Sequence, residues 1–195
     1  MRRGAKEEVS TRRKRGKLLA GWLCSFLFAL PLLAETLPRG PSLALPSHSR
    51  LVWLAHATGF QVYTAQAPAG AQSPLRWVFQ EPDATLQDST GAAIGRHFRG
   101  PCWEAEDGSR ILGSLPPLAQ TPGRSPSDIP WLLIEAHSTG TAGVLSGVTH
   151  VLRVGTAGGA APAKPPSSLG ETVRIRYQAT YLFLAPETGS TPSPR

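Results

Sequence analysis

The sequence predicts an all-β fold, an antiparallel β-sandwich or barrel-like sheet with long Pro/Gly-rich loops. Three observations carry this expectation. Val173, Ile175, Tyr177, Ala179, Tyr181 and Phe183 alternate with Thr172, Arg174, Arg176, Gln178 and Thr180, the period of two that packs one face of a strand and wets the other. One dry and one wet face is the habit of antiparallel sheets. The remaining apolar runs are short and rich in β-branched or aromatic residues, and none reads as a long amphipathic helix. Strands without intervening helices favour a sandwich or barrel over an α/β fold.

From the N-terminus, residues 1–34 read as a signal peptide. Arg2, Arg3, Lys6, Arg12, Arg13, Lys14, Arg15 and Lys17 precede an apolar run from Leu18 to Ala34, the order of an export signal. The run is short for a membrane span and holds Pro31, so a cleaved signal is expected, with a secreted or periplasmic product. An uncleaved N-terminal anchor is the alternative, and the membrane is then a partner only through that segment. Residues 35–50, with Pro38, Gly40, Pro41 and Pro46, read as a flexible linker. A single domain is expected over 51–184, with strands at 60–66, 75–80, 94–98, 102–106, 109–112, 131–136, 148–154 and 172–183. Residues 113–130 and 155–170 are expected as long loops, where binding sites often sit. Residues 185–195 read as a disordered tail.

Charge narrows the classes of function. Most of the net charge of +7 belongs to the N-terminal run, and residues 35–195 carry twelve Lys/Arg against eleven Asp/Glu. That leaves no basic stripe for a phosphate backbone, so nucleic acid is not an expected partner. Cys24 lies in the apolar N-terminal run, which leaves Cys102 alone in the exported domain and without an intramolecular disulfide partner. Cys102 is expected to be buried rather than reactive.

Motifs with chemical content are sparse. Ala136-His137-Ser138-Thr139-Gly140 follows an apolar strand in the manner of a nucleophile elbow, but an elbow serine needs an acid and then a histidine downstream. Here His150 precedes Glu171 and Glu187, so a polar turn is the better reading. Gly155-Thr156-Ala157-Gly158-Gly159 fits neither a dinucleotide fingerprint nor a P-loop, and no cofactor is expected. The histidines at 48, 56, 97, 137 and 150 have no zinc spacing, so no metal site is expected. His150 shares a strand side with Leu152 and Val154 and is expected as a satisfied core histidine.

Residues 83–113 are the densest in polar and special side chains. A two-residue turn at Asp107-Gly108 places Glu106 opposite Ser109 and Glu104 opposite Ile111. Glu104 then sits in apolar surroundings beside Cys102 and needs a partner. His97 and Arg96 are nearest in sequence, and His97 with Glu104 would make an acid/base or ligand-gripping pair, or else a buried structural ion pair.

The same region resembles a family known only as a domain of unknown function, found in exported bacterial proteins and in fungi. The likeness covers most of residues 56–184. It rests on Gly59-Phe60-Gln61-Val62-Tyr63, Trp77-Val78-Phe79, Gly95-Arg96-His97-Phe98, Gly100-Pro101-Cys102-Trp103-Glu104, Ile129-Pro130-Trp131-Leu132-Leu133, Thr156-Ala157-Gly158-Gly159-Ala160-Ala161-Pro162 and Tyr177-Gln178-Ala179-Thr180-Tyr181. The resemblance implies an all-β exported domain and no established activity. Some fungal relatives carry a malate dehydrogenase label, which a chain lacking the dinucleotide fingerprint does not support. The expected function is a non-enzymatic envelope module binding a small-molecule, sugar or lipid ligand through His97, Trp103, Glu104, Asp107 and Gly158. The alternatives are an acid/base hydrolase or isomerase using His97 and Glu104, or a purely structural envelope protein.

Overall fold

The computed structural model describes residues 43–68 and 74–187. The expected signal peptide, the first half of the linker and the end of the tail lie outside these residues, and Ser49 and Arg50, expected in the linker, open the first strand. Nine strands form one antiparallel sheet: β1 (Ser49–Gln66), β2 (Arg76–Gln87), β3 (Ala93–Phe98), β4 (Cys102–Ala105), β5 (Arg110–Gly113), β6 (Ala119–Thr121), β7 (Trp131–Ser138), β8 (His150–Gly158) and β9 (Thr172–Pro186). Their order is β5-β4-β3-β2-β1-β9-β8-β7-β6, and a further β5–β7 pairing closes the sheet into a ring without making a regular barrel. One edge of β7 is shared: Trp131, Leu132 and Leu133 pair with β6, whereas Ala136, His137 and Ser138 pair with β5.

Two long strands form the back of the ring. β1 and β9 pair from Ser49↔Pro186 to Thr64↔Thr172. β9 thus includes Ala185 and Pro186, which were expected in the tail. Strands this long must bend to close a ring, and register shifts supply the bends at Leu51/Trp53 of β1, opposite Val62/Tyr63 on β2, and at Val154/Ala157 of β8. β2 continues past Gln80 through Pro82, which is tolerated because its pairing with β3 begins only at Ala84.

Alternation sorts the side chains into two clusters. The ring interior holds Trp103, Tyr177, Tyr181, Phe183, Leu86, Ile111 and Val151, with Leu145 and Val148 contributed by the segment between β7 and β8. Neighbouring residues on β7, β8 and β9 turn outward into a second cluster of Leu133, Leu152 and Leu184, against which Leu43 and Ala119 pack. Beside this cluster β7 and β8 are dry on both faces, so they read as continuous apolar runs rather than alternating ones. His150 lies on this outer side and is half-buried, its Nδ1 3.0 Å from Thr149 Oγ1. The side it shares with Leu152 is therefore not the ring interior, contrary to the expectation of a core histidine.

Candidate functional site

The β4–β5 hairpin decides where Glu104 points. Ala105 N–H donates to Ser109 O (3.0 Å) and Gly108 N–H to Ala105 O (3.0 Å), so the loop has three residues, with Gly108 at φ 82° supplying the left-handed position that such a loop needs. The expected two-residue turn is corrected by one step of register. Glu104 faces Arg110, and Trp103 faces Ile111. A one-residue slip exchanges the faces of the sheet, which takes Glu104 away from Ile111.

Glu104 is on the outer face within a cationic pair. Arg96 donates from Nε (3.2 Å) and Nη2 (2.8 Å) to Oε1, and Arg110 Nε donates to Oε2 (2.6 Å). Hydrogen bonds from Arg96, then those from Arg110, hold its carboxyl below the usual range. The Arg96 guanidinium also lies 4.8 Å from the Phe98 ring centroid. Cys102, on the same strand face, is buried, and burial pushes its thiol up.

His97 points the other way, into the ring. It is 3% exposed, stacks on Trp103 at 4.5 Å with 6° between planes, and meets Tyr181 edge-on at 5.1 Å. Its Nδ1 lies 2.8 Å from Cys102 O. A carbonyl oxygen only accepts, so Nδ1 carries the proton. Burial lowers the pKa of His97 to about 3, so the ring is neutral in ordinary buffers. The structure thus joins His97 to Trp103 and separates both from Glu104. The acid/base pair suggested by sequence spacing is not assembled.

Asp107 and Gly158 each fasten a loop. Asp107 Oδ1 accepts from Ser109 N (2.9 Å) and Oγ (2.6 Å), Oδ2 accepts from Val144 N (2.7 Å), and Ser109 Oγ accepts from Leu145 N (3.1 Å). Hydrogen bonds, first that from the Ser109 hydroxyl, keep the Asp107 carboxyl low. This clasp seats Leu145, which is fully buried. Ser138 is the last residue of β7, exposed and paired with Ile111, its hydroxyl 3.5 Å from Arg110 O; the strand runs two residues past its expected end, and the turn begins only after Ser138. Gly158 N–H donates to Asp128 Oδ1 (2.7 Å), and Gly158 O accepts from Ile129 N (2.9 Å). The segment before β7 is thereby tied to the end of β8.

That tie shapes a cleft that sequence reasoning did not single out. Gln120, Thr121, Pro122, Arg124, Asp128 and Pro130 line an open cleft of about 490 Å³. Thr121 is 5% exposed, and its hydroxyl is buried without a hydrogen-bond partner. Trp131, directly across from Thr121 on β7, also has a buried, unpartnered Nε1, and the Arg124 guanidinium lies 5.8 Å from its ring centroid. The only sequence signal of Thr121 and Arg124 was membership of the long loop expected at 113–130, whereas Trp131 opens the strand expected at 131–136.

A second hollow of about 450 Å³ lies across β1, β9 and the β2–β3 turn, lined by His56, Thr58, Asp88, Thr90, Gln178 and Thr180. Its polar groups serve one another: His56 Nδ1 is 3.3 Å from Thr180 Oγ1, and Asp88 Oδ1 accepts from Thr90 N, Thr90 Oγ1 and Ala92 N. Among the described residues no three His, Cys, Asp or Glu side chains gather as a metal site would require.

The family described as protein of unknown function (DUF3455) matches residues 46–185, which span the ring from the approach to β1 through to the end of β9. The chain belongs to the DUF3455 family. The match covers the His97–Trp103 pair, the Asp107 clasp and the 120–130 cleft, so all of these lie inside the family domain. No curated protein and no solved structure is detectably similar to the chain.

Proposed function

We propose that this DUF3455 protein is an exported cell-envelope module that binds a small-molecule, sugar or lipid ligand without transforming it, and that the 120–130 cleft, held by Gly158, is its site. The observation that carries this reading is the Thr121 hydroxyl. A hydroxyl that is buried and left unpaired costs about 1–3 kcal/mol, and Thr121 stands in the wall of the cleft, where a guest that reached the hydroxyl would relieve that cost. The basic, then apolar, N-terminal sequence supports export. The separation of His97 from Glu104 removes the one acid/base pair for which the sequence argued.

A thermal-shift panel of neutral and acidic sugars, fatty acids and small metabolites tests it. Ligand-dependent stabilisation that disappears in Thr121→Val is expected. The complete packing of His97 favours a second reading, a purely structural envelope protein. Stability that no member of the panel changes would select that reading.

A further inference from the structure

Resting on the reading of the 120–130 cleft as a binding site, we propose that the group it receives is a carboxylate, gripped by Arg124 and Thr121. Arg124 takes part in none of the ion pairs among the described residues, which are Arg96–Glu104, Arg99–Glu81, Arg110–Glu104 and Arg174–Asp83. Its guanidinium lies 5.8 Å from the Trp131 ring centroid, and with no carboxylate paired to it its N–H fork is left for a planar, bidentate acceptor. Thr121 adds a buried hydroxyl with no acceptor of its own.

The acid already in the cleft does not compete for the guanidinium. Asp128 Oδ1 accepts from Gly158 N (2.7 Å) and Oδ2 from Ser125 N (2.9 Å), so both of its oxygens are engaged by backbone. Its charge nevertheless sets the valence of the guest. One guanidinium beside one carboxylate suits a singly charged planar anion better than a phosphate dianion, which would call for further cations or a nest of amides. Pro122, Pro126 and Pro130 form an apolar rim for the rest of the ligand.

Two sources present such a group: a uronic acid within a saccharide, or a free acyl chain. Trigalacturonate, octanoate and the neutral maltotriose are titrated into the full chain by calorimetry, alongside Arg124→Gln and Thr121→Val. Binding of an acidic probe that weakens about tenfold or more in each variant is expected, since charged hydrogen bonds are being removed. Which acidic probe binds names the source. Thr121→Val should also melt no lower than wild type, because it deletes an unpaired buried hydroxyl; a lowered Tm would assign that hydroxyl an internal role and overturn the proposal. Maltotriose binding that is indifferent to Arg124→Gln would overturn the carboxylate and leave the cleft standing as a site. Failure of all three probes to bind would overturn the proposal outright.

Discussion

Acidification should destabilise this protein through His97 before its carboxylates titrate. The ring is enclosed by Trp103 and Tyr181, its one hydrogen bond goes to a carbonyl, and burial, seconded by the Arg153 charge, opposes a second proton. The folded pKa of about 3 stands below the ordinary histidine value of 6.5. Between those values the unfolded chain takes up a proton that the folded chain refuses. His97's contribution to stability is therefore complete above pH 6.5 and lost as pH falls toward 3. At 1.36 kcal/mol per unit, moving from pH 7 to pH 5 costs about 2 kcal/mol. The assay is urea unfolding of wild type and His97→Phe at both pH values. The variant keeps a ring against Trp103 but leaves Cys102 O unpaired, so it starts about 1–3 kcal/mol less stable. Its deficit should shrink by about 2 kcal/mol at pH 5. A deficit that stays constant from pH 7 to pH 5 would refute the buried neutral imidazole.

Other consequences follow from the same contacts. Glu104→Gln should change stability by no more than about 1 kcal/mol, because its partners Arg96 and Arg110 are solvent-facing; chemical denaturation measures it, and ligand binding at the 120–130 cleft should be untouched. Asp107→Ala should free the segment that seats Leu145, read as faster amide hydrogen exchange at Val144 and Leu145 while β1 and β9 stay protected. Gly59→Ala should destabilise by on the order of 3 kcal/mol, since the added carbon would lie 2.2 Å from Asp83 O and 2.5 Å from Ala84 Cα on β2. A denaturation midpoint matching wild type would mean that the two strands separate there without strain.

Most of the sheet was legible because β9 alternates strongly and the other strands are short runs rich in β-branched and aromatic residues. The first half of β1 was missed because its inward residues after Trp53 are Ala55, Ala57 and Gly59, which contrast weakly with His56 and Thr58 in any hydrophobic pattern. β2 was cut short at Gln80 because Glu81-Pro82-Asp83 reads as a break, and only the position of β3 shows why a proline is harmless there. The three residues of β6 owe their place to a partner, the free half-edge of β7, which no local signal encodes. For the candidate residues, the sequence brought His97 and Trp103 to one region correctly, but a single residue of loop length decided which face Glu104 took. Thr121 and Arg124 carry no motif. Their interest lies in an ion pair that Arg124 lacks and a hydrogen bond that the Thr121 hydroxyl lacks, which show only once the chain has folded.

Ligand recognition is proposed for the cleft between Thr121 and Asp128. Amide chemical-shift mapping of the isotope-labelled protein, titrated with whichever panel member stabilises it, tests this most directly. Perturbations are expected at Thr121, Arg124, Ser125 and Gly158, with Arg96, Phe98 and Glu104 unmoved. Shifts centred on the Arg96–Glu104–Arg110 face, or on the hollow around His56 and Thr180, would contradict it.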